Sequence, residues 1–335
     1  MRITCDDRIS WIDWAKVIGI VLVVYAHIPS EIVPIIFLFH MPFFFIISGY
    51  LYKDRSFLEE LKRTFYILFP YFIYNLILLV IYPPPQVVHG MINILLGNQE
   101  QLPIIYVPMW FVICLVNMRL ISSALSNPSF KMLISLLLLA LFVVLKEFDY
   151  IQRDKDYFQL NSTMLSYHFF VFGYYLRYYH KIDLINKLIE KNGKKKISVL
   201  LIIIMLMAIM IGCVNAYYGK NLNGHGMTNL FRCVVGYSLF ISLLVAYIIS
   251  YCIILLLHLY LNFDLSVIKT ISNGTLLILC THLTVLYWLQ LLFDSSKIGI
   301  PLLLTIVVMS LSYLLILLSS KYFPLLIGKK CNIGL

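Results

Sequence analysis

ISVLLIIIMLMAIMIGCVNAY, residues 197–217, runs for twenty-one residues without a single charge. As an α-helix it is about 31 Å long, which matches the hydrocarbon core of a bilayer. Runs of similar length and character recur on either side of it. Of the 335 residues, 61% are hydrophobic and only 13% are charged, against about 45–50% and about 25% in a soluble domain. A soluble core of this length cannot hide that much apolar surface, whereas lipid can. The pattern predicts an all-α polytopic membrane protein with about ten transmembrane helices. They fall near 12–28, 34–52, 62–82, 105–125, 131–146, 161–179, 197–217, 229–257, 270–293 and 299–324. No internal repeat or soluble appendage interrupts them, so residues 1–335 are read as one membrane domain.

The charges then acquire a meaning. A net charge of +10 in a soluble protein would point to nucleic acid. Here the basic residues sit between apolar runs, where they orient helices in the bilayer, and no nucleic-acid partner is expected. With the N-terminus in the cytoplasm, nineteen Lys and Arg residues fall on the inner side and five on the outer side. Both termini are therefore expected in the cytoplasm. The inner set includes Arg119, Lys131 and a cluster from Lys181 to Lys196. The first apolar run is followed by no small-residue cleavage site, so it is read as a retained helix. The seven cysteines show no ligand spacing and suggest neither a disulfide framework nor a metal.

Ionisable groups at membrane depth are costly and mark candidate function. In the first helix these are Asp13, Lys16 and His27, which share one helical face. Asp13 lies near the inner surface and His27 roughly 21 Å further along, near the outer one. The second helix descends through PIIFLFHMPFFFIISGYLY and puts His40 at a depth similar to His27. His168 and His282 are also mid-span. Histidine titrates near neutrality and can take a proton from a hydroxyl and return it. A hydrogen bond to a backbone carbonyl is the competing role for each of them. His89, His180, His225 and His258 are read as solvated. FLEELKRTFYILFPYF places Lys62 and Arg63 at the cytoplasmic mouth of the third helix, where they could hold the phosphates of an anionic cofactor or merely orient the helix.

Taken together, these segments resemble the membrane acyltransferase-3 family, bacterial enzymes that O-acylate polysaccharides and other surface glycans. ISWIDWAKVIGIVLVVYAHI (9–28) is similar to the family's first helix, with an early acid at Asp13 and a closing histidine at His27. FHMPFFFIISGYLY (39–52) is the most specific match and contains His40, Pro42, Ser48 and Gly49. LKRTFYILFPYF resembles the basic third-helix motif ending in Pro70 and Tyr71. PMWFV (108–112), YHFFVFGYYLRYY (167–179) and ISNGTLLILCTHL (271–283) resemble later family phrases, in order. One departure stands out: the second arginine of the third-helix motif falls on Tyr66. The extracytoplasmic hydrolase-like domain that some relatives carry is not expected here.

The resemblance implies a bacterial inner-membrane enzyme that moves an acetyl or other short acyl group from cytoplasmic acetyl-CoA to a glycan hydroxyl. No metal is implied. The acceptor would be a surface polysaccharide or a lipid-linked sugar. His27, with His40 and Asp13, is the expected catalytic set. Lys62, Arg63 and Lys16 are the expected donor site. Trp110 would stack on a sugar or else anchor at the membrane interface, Arg232 would meet an anionic acceptor or the developing oxyanion or else snorkel to the headgroups, and His282, His168 and Ser48 would support them. Two rival readings remain: a secondary transporter or glycan flippase, and a non-catalytic relative, which the Tyr66 departure keeps open.

Overall fold

The computed structural model describes residues 8–152, 155–182, 184–223, 236–293 and 299–328, all of the described regular structure being helical. Fourteen α-helices follow one another: α1 (Ser10–Ala26), α2 (Val33–Phe37), α3 (His40–Leu51), α4 (Phe57–Ile81), α5 (Val87–Leu95), α6 (Trp110–Ala124), α7 (Pro128–Glu147), α8 (Leu160–Tyr178), α9 (Leu184–Asn192), α10 (Lys194–Asn223), α11 (Leu239–Tyr260), α12 (Ser266–Asn273), α13 (Thr275–Gln290) and α14 (Ile300–Tyr322). Every one of the ten segments expected from sequence falls on one or two of these. Seven described spans are long and apolar enough to cross a bilayer, and the bent pair α12–α13 makes an eighth. The count of about ten is not reached because α1 has 17 residues and α8 is unusually polar. Both are central, so their polar side chains meet protein instead of lipid. The two termini, residues 1–7 and 329–335, lie outside the described residues.

Two expected helices are broken, and each break has a cause. The second divides at Leu38–Phe39 into α2 and α3. Pro42 sits on the first turn of α3, where its ring would strike the carbonyl four residues earlier, that of Leu38, if the helix continued. The ninth bends by 78° at Gly274, between α12 and α13. A β-carbon on Gly274 would overlap the side chain of Ile316, so α14 packs directly on the bend. Irregular backbone at membrane depth is tolerated only against protein or a cavity.

Contacts fix which helix ends lie together. Trp11 meets Tyr50 edge-on, with ring centroids 5.3 Å apart. Lys131 Nζ donates to Asp54 Oδ1 at 2.7 Å, and Tyr174 Oη donates to the other oxygen at 2.6 Å. Arg177 Nη1 donates to the Tyr50 carbonyl at 3.2 Å, and Trp14 Nε1 to the Phe263 carbonyl at 3.0 Å. One end of the bundle, called the Asp13 end below, therefore gathers the charged turns. The other is the His27 end. Glu60, fully buried on the first turn of α4, is the hub of the Asp13 end: Arg119 Nε donates to its Oε1 at 2.6 Å, and Arg55 approaches its Oε2 at 3.4 Å.

The tightest helix pair is α3–α8. A β-carbon on Gly49 would overlap the Phe170 carbonyl oxygen, and one on Gly173 would overlap the Ile46 carbonyl oxygen. The two glycines let the backbones touch reciprocally, which is how helices approach closely where no water drives them together. Neither carbonyl can move without breaking its own helix. Gly49→Ala is therefore expected to destabilise by about 1–3 kcal/mol or more, read as a lower melting temperature of the purified protein. Gly193→Ala is the control, since nothing lies within 4 Å of the added carbon and only its φ of +82° opposes it.

Candidate active site

A cavity of about 190 Å³ opens between α1, α3, α4, α6 and α13. On α1 it is lined by Lys16, Ile20 and Val23, spaced so that they form one stripe. His27 is the next residue on that stripe, one turn beyond Val23. On α13 the lining is Thr275, Leu276 and Leu279, and His282 lies one turn beyond Leu279. Phe44, Ile47 and Ser48 of α3, Ile67 of α4 and Phe111 of α6 close the sides. The polar lining is Lys16, Ser48 and Thr275, with aliphatic and aromatic side chains making up the rest. The break at Gly274 thus delivers the first turn of α13 to the cavity wall. Gly19 gives Phe44 its room: a β-carbon there would stand 2.8 Å from the Phe44 ring.

Where the two stripes end, His27 and His282 pack edge to face with ring centroids 5.0 Å apart. Their tautomers follow from their partners. His27 Nδ1 is 2.8 Å from the Val23 carbonyl, and His282 Nδ1 is 2.9 Å from the carbonyls of both Ile278 and Leu279. A carbonyl only accepts, so Nδ1 carries the hydrogen in each ring and Nε2 holds the lone pair. His282 Nε2 is buried with no hydrogen-bond partner among the described residues. The pair therefore presents two imidazoles whose Nε2 atoms are not committed to backbone.

The remaining expected residues are placed as follows. His40 opens α3, buried, with Nδ1 on the Ile36 carbonyl at 2.9 Å and its ring edge-on to Phe37 at 5.0 Å. The ring that packs on His27 is that of His282, not that of His40. Asp13 is at the opposite end of α1 from His27 and is occupied: Arg8 Nη2 donates to Oδ1 at 3.0 Å, and Ser272 Oγ donates to the same oxygen at 2.6 Å. It pins α12 to α1. Lys16 and Ser48 both line the cavity. Lys62 and Arg63 are exposed on α4 at the Asp13 end, Arg63 one turn before the cavity-lining Ile67. Trp110 is buried, packed near Phe45 and Phe111 with centroids 6.1 and 6.3 Å away. In this arrangement it offers no open face to a sugar. His168 Nδ1 lies 2.6 Å from Tyr247 Oη, tying α8 to α11 away from the cavity. Arg232 lies outside the described residues, as does His225. His258, expected to be solvated, is half-buried and meets Trp11 at 6.0 Å, edge-on.

Sequence reasoning missed Phe44, Phe111, Thr275 and Glu60. The three cavity residues carry no signal of their own in apolar runs. Glu60 carried one, an acid just inside the start of a long apolar helix, but nothing in the sequence shows that Arg119 reaches it. Among the described residues no three His, Cys, Asp or Glu side chains are grouped to hold a metal ion.

No curated protein and no solved structure matches this chain. A family model, that of the acyltransferase domain, matches residues 9–320, from just before α1 to the last turn of α14. That range contains the cavity, the histidine pair and the basic turns. With a match over nearly the whole length of an apolar helical bundle, the chain belongs to the acyltransferase-3 family and is a membrane acyltransferase.

Proposed function

We propose that this protein transfers an acetyl or similarly short acyl group from acyl-CoA, bound at the Asp13 end, to a hydroxyl of a glycan at the His27 end. The observation that carries the reading is the cavity whose α1 and α13 walls lead from Lys16 to His27 and His282. Eleven residues of helix separate Lys16 from His27, about 16 Å, a span suited to an extended pantetheine arm. The lining fits such an arm: Ser48 and Thr275 offer hydroxyls to its amides, and the aliphatic wall accepts its methylenes. Lys62, Arg63 and Lys16 supply positive charge for the phosphates at the arm's other end.

At the His27 end, Nε2 of His27 takes the proton from the acceptor hydroxyl as its oxygen attacks the thioester carbonyl. The C–S bond breaks as the C–O ester bond forms, and the proton passes from the imidazolium to the departing thiolate. His282, packed against the ring at 5.0 Å, holds His27 in place. The orientation proposed is the one expected from the basic residues, with the Asp13 end and both termini in the cytoplasm of a bacterial inner membrane. Acyl-CoA is made there, and a surface polysaccharide or lipid-linked sugar would await on the far side. Membranes with and without the protein, given labelled acetyl-CoA and the host glycan, test this directly. Label on the glycan only when the protein is present is the expected result. Glycan that crosses unmodified would favour a transporter and overturn it.

Two further outcomes follow. Arg63→Ala should raise the acetyl-CoA concentration needed for half-maximal rate by about tenfold or more at normal yield, because an exposed cation adds little to packing. Unchanged donor dependence would leave Arg63 with orientation alone. For topology, Ser198 is unsuitable as a labelling position, since it is buried and bonded to Tyr260 Oη at 2.7 Å. Asn192 is exposed. A cysteine at Asn192 should react with an impermeant thiol reagent only after the membrane is opened, and labelling in intact cells would reverse the orientation.

A further inference from the structure

The helices α8, α9, α10 and α11 enclose an open apolar groove of about 570 Å³, away from the acyl cavity. Phe172, Ile185, Leu201 and Tyr251 form its floor, and Lys181 stands at its rim. A second groove of about 610 Å³ adjoins it, sharing Leu200, with Lys195 and Lys196 at its rim. Leu188, Val199, Leu200 and Ile203 each leave about half of their surface uncovered. The apolar depth belongs to the hydrocarbon region, and the rim lies at the start of a membrane-length helix, at headgroup level.

The charge around this rim is one-sided. Residues 181–196 hold six lysines against two acids, Asp183 and Glu190. Lys181, Lys195 and Lys196 are exposed and form no ion pair with an acid among the described residues. Lys194 is turned aside onto the Tyr260 ring, 4.2 Å from its centroid. Three consecutive lysines on the first turn of α10 oppose the helix dipole, so local helix stability does not explain them. Orientation in the bilayer explains a basic turn, but not why Lys181 lines one apolar groove and Lys195 and Lys196 the adjoining one.

We propose that this corner is a binding site for an anionic glycerophospholipid, whose phosphate is held by Lys181, Lys195 and Lys196 and whose acyl chains lie in the paired grooves. Lysine next to a membrane surface attracts anionic lipid, and three acting together should discriminate against a zwitterionic headgroup by well over tenfold. The short helix α9, apolar towards the bundle and basic outwards, lies over the site as an interfacial helix does. The reading is independent of the acyl-transfer mechanism, because it is read as lipid retention.

The test is native mass spectrometry of the full chain, exchanged in detergent into equal amounts of phosphatidylglycerol and phosphatidylcholine. The wild-type protein should retain phosphatidylglycerol in at least about tenfold excess. The triple variant Lys181→Gln, Lys195→Gln, Lys196→Gln should lose that excess, and Leu200→Trp, which fills the shared groove with every lysine intact, should lower retention of the lipid itself. Equal retention of the two lipids by the wild-type protein would overturn the proposal, as would an undiminished preference in the folded triple variant. The wild-type comparison stands even if a variant fails to fold.

Discussion

Replacing His27 with alanine is expected to lower acyl transfer by about 10²–10⁴-fold, the contribution of a general base, while the protein still folds and inserts. The two possible roles of this ring differ in magnitude. A hydrogen-bonded side chain within a membrane bundle contributes only about 0.6–2 kcal/mol to stability, and His27 makes one such bond, to Val23 at 2.8 Å. A purely structural His27 would show as lost yield or a lower melting temperature, with activity per folded molecule preserved. A catalytic one would show normal yield and no turnover. His282→Ala separates the partners. If His282 holds the His27 ring in place, the loss in His282→Ala should be smaller, and the double variant should be little worse than His27→Ala. His40→Ala, whose ring packs on Phe37 instead, should cost less than either.

Glu60→Ala is expected to be the most damaging single change to the fold, by about 3–5 kcal/mol. Its carboxylate is fully buried and faces Arg119 at 2.6 Å and Arg55 at 3.4 Å. Removing it leaves two cations without the charge that offset their desolvation, at the point where α4 and α6 are joined. Glu60→Gln should rescue part of the loss by keeping the shape and one hydrogen-bond acceptor. Melting temperatures of the purified variants decide it, and a Glu60→Ala protein as stable as the wild type would show that the cluster is solvated.

The class of this fold is written in its composition, and the helices could be read from runs such as 197–217 because a bilayer imposes one length on each crossing. What hydropathy could not show is where a run breaks. Averaging over 34–52 and 270–293 hides the interruptions at Leu38–Phe39 and Gly274, although Pro42 and Gly274 were visible as letters. The candidate site was legible in the same partial way. Helical rise gives the depth of His27, His40 and His282, and all three are at helix positions compatible with one layer. Depth does not say which helices are neighbours, and α13 rather than α3 turns its histidine to His27. Lys16 could be placed on the His27 face from spacing alone, and the cavity lies along that face. Asp13 shares the face as well, but Ser272 and Arg8 occupy it, a contact 259 residues away in sequence for Ser272 that no local pattern predicts.

The central claim is vectorial transfer through one cavity, and proteoliposomes containing the purified protein test it most directly. The orientation of each preparation is known from the reagent accessibility of a cysteine at Asn192. Labelled acetyl-CoA is supplied to one face and the acceptor glycan to the other. The account predicts labelled ester on the glycan only when acetyl-CoA meets the Lys62–Arg63 end and the glycan meets the His27 end, with no label in the His27→Ala protein. Ester formed only when donor and acceptor share one face, or formed at full rate without His27, would contradict it.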